Sequence, residues 1–325
     1  MSQADNSHDS LQRRRRDRRQ PTGKRITPQE RDLLWFQKIH EHGPLSSTYL
    51  HAFSRHLRRN EKRARDRLTD LYNEDRTPHD GAYLGRPWQQ FQTVDARYQD
   101  LVYDLAPAGE RALKDAELWS DQVAASAGPW VHRYMVASIT ASIELATLND
   151  PNVNYVPQHQ VLQWARVPLR FPVPFENPTT KKTETRDLIP DAIFGLEYTK
   201  GNDKSYRLFI VEADRATEPS RASRFNRKSH LRTILQYRSY VGGGLYKQHL
   251  GLTAGLLVLN VTSSERTMLN MIDLTNELSG KGNTFLLFQA CDNFGRYFKP
   301  AKPMPRLLSG DWQRAGYPTF RIDRP

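Results

Sequence analysis

Three acidic side chains stand where two apolar stretches of this sequence would meet. Asp191 follows Pro190 near the head of one stretch, 188–198, and Glu212 and Asp214 close a second, 206–214, after a polar turn at 199–204. Two apolar runs of similar length flanking a turn predict an antiparallel hairpin. With residues 198 and 205 flanking the turn, facing residues are those whose numbers sum to about 403. Asp191 then lies opposite Glu212, and Asp214 shares Glu212's face because strand side chains alternate with period two. Like charges brought to ~4 Å cost about 4 kcal/mol per pair at an effective dielectric near 20. A hard cation offsets that repulsion. Mg²⁺, with Mn²⁺ as a substitute, takes oxygen ligands, lowers the pKa of a bound water and neutralises charge on a phosphodiester. Asp191, Glu212 and Asp214 are thus the candidate metal ligands and catalytic carboxylates. The alternative is a solvated strand end neutralised by Arg186 and Arg215.

The second concentration of chemistry is basic. Arg13, Arg14, Arg15, Arg16, Arg18, Arg19, Lys24 and Arg25 face only Asp5, Asp9 and Asp17 within residues 1–25, among almost no apolar side chains. Such a segment cannot offset its ordering entropy by burial, which predicts a disordered basic arm over 1–25. An arm of this kind adds affinity for nucleic acid by releasing counterions from phosphates; a solubilising tail is the alternative. Further on, Arg59, Lys62, Arg63, Arg65 and Arg67 lie over the start and outer face of one helix, and Arg86 follows in a loop. These residues, with Arg13, Arg14, Arg15 and Arg16, are the candidate contacts to double-stranded DNA. A helical protein-interaction module with a solvated charged face is the competing reading.

The whole chain agrees with a polyanion partner. Its 325 residues carry 48 Lys+Arg against 36 Asp+Glu, a formal charge of +12, and a protein this basic is expected to meet nucleic acid. The single cysteine, Cys291, excludes an intramolecular disulfide framework and a cysteine-based zinc site. The longest uncharged apolar run, 252–259, falls far short of the ~20 residues that cross a bilayer, and the arginine-rich start has no apolar signal core. A cytoplasmic protein with no membrane partner is expected.

The elements that must position these residues can be read from periodicity. Thr27 as N-cap, Pro28 at the first helical position and Glu30 predict a helix start, followed by an apolar stripe through Leu33, Leu34, Phe36 and Ile39. A short second helix through Tyr49, Leu50 and Phe53 and a third over 60–72 follow. Strands near 83–84 and 101–105, joined by a loop holding Arg86, would form a wing. A helix–turn–helix with a basic third helix is the geometry that enters a major groove, which predicts a winged helix-turn-helix domain over 26–118. A helix over 130–148, a strand over 161–167, the hairpin, a basic helix over 219–241, a strand over 252–261, a helix over 264–278 and a strand over 284–290 predict a mixed sheet with helices against it, α/β or α+β, over 128–297. Residues 298–325, with Pro300, Pro303 and Pro305, read as an irregular tail.

Two resemblances sharpen this. Val102-Tyr103-Asp104-Leu105-Ala106-Pro107-Ala108-Gly109 resembles the ending of many winged-helix domains, with Ala106-Pro107 in place of the usual Leu-Thr. Pro190-Asp191 followed by Glu212-Ala213-Asp214, then Gln236 and Tyr240 on the next helix, resembles the PD-(D/E)xK, restriction-endonuclease-like superfamily. More narrowly, Pro190–Phe194, Phe209–Glu218 and the later Val258–Arg266 make 28–290 similar to the plasmid replication-relaxation family of bacterial mobile elements. The resemblance implies a winged helix joined to a restriction-endonuclease-like domain, acting in replication or mobilisation on double-stranded DNA alongside other replication or mobilisation proteins. It also implies a metal site at Asp191, Glu212 and Asp214, with Gln236 and Tyr240 orienting a phosphate or water, or else simply packing. One departure bears on activity. The position of the superfamily's lysine holds Asp214, and Lys228 on the following helix is the nearest replacement. The expectations are therefore a DNA-binding protein whose nuclease-like domain is weak or inactive, an active Mg²⁺-dependent endonuclease or nickase, or a scaffold in a mobile-element complex.

Overall fold

The computed structural model describes residues 15–92, 99–122, 128–178, 180–215, 219–220, 229–291, 294 and 298–325. The chain divides into two units, Met1–Trp119 with Tyr297–Lys302, and Ser120–Arg296 with Pro303–Pro325.

In the first unit the elements run α1 (Glu30–His42), β1 (Leu45–Ser46), α2 (Ser47–Phe53), α3 (Glu61–Asn73), β2 (Leu84–Gly85), β3 (Val102–Leu105) and α4 (Pro107–Asp115). The strands form one antiparallel sheet in the order β1-β3-β2. Asn60 caps α3 by accepting the Arg63 N–H at 2.9 Å. Ala64, Leu68, Leu71 and Tyr72 then turn inward to a core that includes Trp35, Phe36, Tyr49, Tyr83 and Tyr103. The start of α1 lies two residues beyond the expected one. Gln29, not Thr27, is the cap, with the Asp32 carboxylate reaching back to the Gln29 N–H. Asp32 is fully buried, so its bonds, and not the Thr-Pro pair, decide where the helix begins. Gly109 explains the glycine of the winged-helix-like motif. A Cβ there would lie 2.5 Å from Leu105 Cδ1 and 2.6 Å from the Tyr83 carbonyl oxygen, so only glycine lets α4 sit this close to β2 and β3.

Residues 15–25, expected to be disordered from composition, are instead held against the end of α3. The Thr22 and Gly23 N–H groups donate to the buried Glu74 carboxylate at 3.0 Å, and Gln20 N–H donates to Asn73 Oδ1 at 3.1 Å. Arg19 donates to the Tyr72 carbonyl and, at 2.9 Å, to that of Leu84. Composition measured only the apolar burial of this segment. What orders it is backbone amides on a carboxylate and a cation on the negative end of a helix.

The second unit contains α5 (Trp130–Thr147), β4 (Val153–Val156), α6 (Gln158–Ala165), β5 (Phe171–Glu176), β6 (Thr183–Leu188), β7 (Ala192–Lys200), β8 (Asp203–Asp214), α7 (His230–Tyr237), α8 (Leu245–Leu250), β9 (Gly255–Thr262), α9 (Glu265–Ser279), β10 (Leu286–Ala290), α10 (Arg306–Ser309), β11 (Trp312–Arg314) and β12 (Tyr317–Phe320). Seven strands form a mixed sheet in the order β12-β11-β10-β9-β8-β7-β4, with β5 and β6 as a separate hairpin. The β8–β9 and β9–β10 pairs are parallel. This is the mixed α/β class expected. Ile193, Leu208, Ile210 and Val258 pack with Leu231, Ile234 and Tyr237 of α7 and with Met268, Met271 and Leu274 of α9, while α5 packs on β8.

Four expectations are corrected here. Residues 161–167 are not a strand. Pro157 caps α6, and Val161 and Leu162 are its buried face, a short apolar run that periodicity alone cannot assign. The strand neighbouring β7 is β4, antiparallel to it. The apolar run from Leu188 is not one strand: Leu188 ends β6 and β7 begins at Ala192, with Pro190, which lacks an N–H for a ladder, between them. The helix expected from 219 has its described start at His230, where Ser229 is extended and caps the Arg232 N–H; residues 221–228 lie outside the described residues. Finally, 298–325 is not irregular throughout. α10 leads into β11 and β12, which extend the sheet beyond β10. Fully buried Trp312 donates from Nε1 to the Leu307 carbonyl at 3.1 Å, and the Tyr198 hydroxyl donates to the Ile322 carbonyl at 2.7 Å. Pro300, Pro303 and Pro305 precede these elements, and Pro318 lies within the outermost strand, β12.

Candidate functional site

The β7–β8 hairpin has the expected register, from Ala192↔Val211 through Tyr198↔Ser205 to Lys200↔Asp203. Asp191 stands one residue before β7, and its side chain takes the place of the next rung. Oδ2 accepts the Ala213 N–H at 2.8 Å. Oδ1 lies 3.0 Å from His132 Nε2 on α5.

The other two acids meet α7. Glu212 is 9% exposed, and its Oε1 accepts the Tyr237 hydroxyl. Asp214 Oδ2 lies 3.0 Å from His230 Nε2, with both side chains largely buried. The spacing explains the match. Glu212 and Asp214 share one strand face, and His230 and Tyr237 are seven residues apart, two helical turns, on one face of α7. Burial, and then the negative charge of Glu212, push the Tyr237 hydroxyl well above its ordinary range, with Asp191 adding to the effect. Tyr237 therefore stays protonated and donates. Histidine and tyrosine side chains meet these acids, and Arg186 lies 3.5 Å from Glu184.

This placement does not fit the expected Mg²⁺ site. Oxygens that share an Mg²⁺ at 2.0–2.1 Å must converge on one point. Among the described residues, Asp191, Glu212 and Asp214 do not bring carboxylate oxygens mutually within 4.8 Å. Both Asp191 oxygens, one of Glu212 and one of Asp214 are already bonded to protein donors.

The remaining sequence candidates separate. Gln236 is buried, and its Nε2 donates to the Arg186 and Asp187 carbonyls at 3.2 and 3.3 Å, which ties α7 to β6. Tyr240, in the π-turn Arg238–Gly242, shares a 2.7 Å hydrogen bond with His249 Nδ1 and packs on Phe171. These contacts are the packing alternative for both residues. Lys228 lies outside the described residues. His230 and Tyr237 were missed. The signal that could have found them is their seven-residue spacing on an amphipathic helix that follows two acids spaced by two on a strand.

In the first unit Arg59, Lys62, Arg63 and Arg65 are exposed on and just before α3. Arg67 is turned inward, a correction to its reading as a DNA contact. Its guanidinium lies 2.6 Å from the buried Asp32 carboxylate and donates to the Thr27 carbonyl at 2.8 Å, because an isolated buried carboxylate requires a charged partner. Arg86 stacks over Tyr72 at 4.0 Å and donates to the Arg16 carbonyl at 3.0 Å. Arg15 pairs with Asp17 and Arg16 donates to the Gln99 carbonyl. Arg13 and Arg14 lie outside the described residues. Among the described residues no helix is long and apolar enough to cross a membrane.

A family model described as Replication-relaxation matches residues 36–256, more than half of the chain. No curated protein and no solved structure matches it.

Proposed function

This chain belongs to the replication-relaxation family, whose role lies in replication of plasmids and other mobile elements, and from that premise we propose that it works there by binding double-stranded DNA through its first unit. The observation that carries this reading is the exposed basic row Arg59, Lys62, Arg63 and Arg65 at the start of α3. That helix is the third in an α–β–α–α–β–β order, the order in which a winged helix presents its recognition helix to a major groove. Exposed cations there meet phosphates and base edges at little cost, the one ion pair in the row among the described residues being that of Arg65 with the exposed Glu61 at 3.9 Å, and the +12 charge of the chain favours the encounter. Titrating labelled duplex at several salt concentrations tests it. Wild-type protein should bind with a strongly salt-dependent affinity, and Arg63→Ala or Lys62→Ala should weaken binding and make the slope shallower by about one each. Equal binding by wild type and both variants would remove the role of α3.

In the second unit we read a nuclease-like domain with little or no phosphodiester hydrolysis. The α5–β4–α6–β5–β6–β7–β8–α7–α8–β9 order, with β4, β7, β8 and β9 adjacent in one sheet, supports the nuclease likeness, and the bonded state of Asp191, Glu212 and Asp214 supports inactivity. Incubation with supercoiled plasmid in Mg²⁺, in Mn²⁺ and in EDTA is the check. Metal-dependent relaxation that disappears in Asp191→Ala and Glu212→Ala would replace this reading with that of an endonuclease or nickase.

A further inference from the structure

The first unit contains a cavity of about 420 Å³ walled by arginine. Arg15, Arg16 and Arg18 enter it from the segment before α1, Arg65 from α3, and Arg86 from just after β2. Among the described residues the acid in its wall is Asp100, which is already engaged by the Thr48 hydroxyl at 2.6 Å and the Ser47 hydroxyl at 3.4 Å. The guanidiniums are near enough to act on one another. Burial foremost, and then the charge of Arg86, make the Arg16 guanidinium less willing to hold its proton than usual, with Tyr103 and Asp100 opposing and Arg65 adding a smaller push. The Arg86 Nε–H is buried and meets no acceptor, although its other nitrogens donate to Arg16, Thr69 and Tyr103.

A polar cavity that gathers like charges and leaves a buried donor unmet is built for an anion. Its volume is in the range of small-ligand pockets, and forked guanidinium donors match the oxygens of a phosphate. The cavity is also formed in part by a segment that has no apolar reason to fold back on α3. A bridging anion would add a further polar tie to the Asn73 and Glu74 bonds that already hold it there.

We propose that this cavity binds a phosphate ester, with the segment 15–20 as one wall and α3 as the other. If the DNA-binding reading above holds, the ester is a backbone phosphate of the duplex, gripped beside the exposed row of α3. The pocket itself does not depend on that reading, since a free nucleotide offers the same chemistry.

The test uses the full chain with Arg65→Gln, Arg18→Gln and, as an outer-face control, Arg63→Gln. Arg65 is more than half exposed and Arg18 is exposed, so both variants are expected to fold, which circular dichroism of each checks. Two quantities are read: the rise in melting temperature in millimolar inorganic phosphate or mononucleotide against chloride at equal ionic strength, and the salt slope of duplex binding. The expected result is a phosphate-induced rise in wild type and in Arg63→Gln that is lost in both pocket variants, with a duplex slope shallower by about one in each pocket variant. Pocket variants that match wild type in both readouts overturn the proposal, and if only Arg63→Gln then weakens duplex binding, the DNA-binding reading survives alone. No duplex binding by any protein, together with a phosphate-induced rise lost in the pocket variants, keeps the pocket and rejects the DNA-binding reading.

Discussion

His230 Nε2 on α7 lies 3.0 Å from Asp214 Oδ2 at the end of β8. The residue that stands where the restriction-endonuclease resemblance implies lysine is thereby bound to a histidine. The pair also joins α7 to the strand that bears Glu212, whose own partner, Tyr237, is two turns further along the same helix. His230→Ala removes this tie. It is expected to destabilise the second unit by about 1–3 kcal/mol in urea unfolding, with part of the loss recovered by His230→Gln. An unchanged midpoint would mean that the pair contributes nothing to holding α7.

Arg67 and Arg63 are four residues apart on α3 and have opposite fates. Asp32 is fully buried and Arg67 is its ion-pair partner at 2.6 Å. Arg67→Ala leaves that carboxylate without its strongest partner and should cost the first unit about 3 kcal/mol or more. Arg63→Ala should leave the unfolding midpoint within about 0.5 kcal/mol of wild type. Comparable destabilisation by the two changes would refute the assignment of inward and outward roles.

Gly109→Ala puts a methyl group 2.6 Å from a backbone oxygen and 2.5 Å from a packed leucine. The leucine can yield, but the Tyr83 carbonyl is held in place by the Ala106 N–H at 2.9 Å. A loss of about 1–3 kcal/mol is expected from such overpacking, read as a lower melting temperature. A neutral substitution would show that α4 can shift away from β2 and β3 without penalty.

Burial lowers the proton affinity of His249 below the ordinary value of 6.5. Its folded pKa is therefore below its unfolded one, and over the interval between them the unfolded chain binds more protons. Stability must then rise with pH through that interval and fall as the solution is acidified below about 6.5. Chemical unfolding at a series of pH values should show this slope in wild type and a flatter one in His249→Gln. Parallel profiles for the two proteins would mean that His249 titrates alike in both states.

Much of the scaffold is legible in the residues. α3 follows from Asn60 and the spacing of Ala64, Leu68 and Leu71, and α5 and α9 fall close to their expected bounds, because caps and apolar periodicity act within a few turns. The segment 15–25 was misjudged for a related reason. Composition reports apolar burial, whereas this segment is held by polar bonds to α3 and Glu74 that depend on where that helix ends. α6 and the C-terminal strands β11 and β12 were also misread, since a short apolar run or a proline-flanked tail takes its form from what it packs against.

The hairpin that presents the acids was determined by the sequence alone. Alternating side chains and one polar turn settle which residues of β7 and β8 face each other, and both are local properties. Which groups meet those acids was decided only by the tertiary structure. His132, His230 and Tyr237 come from two helices, 59, 16 and 25 residues away from the carboxylates they bond. The same holds for Arg67 turned onto Asp32 and Arg63 left in water. A charge reads identically at both positions, and it is the dielectric and the partners that packing brings that divide a buried tie from an exposed contact.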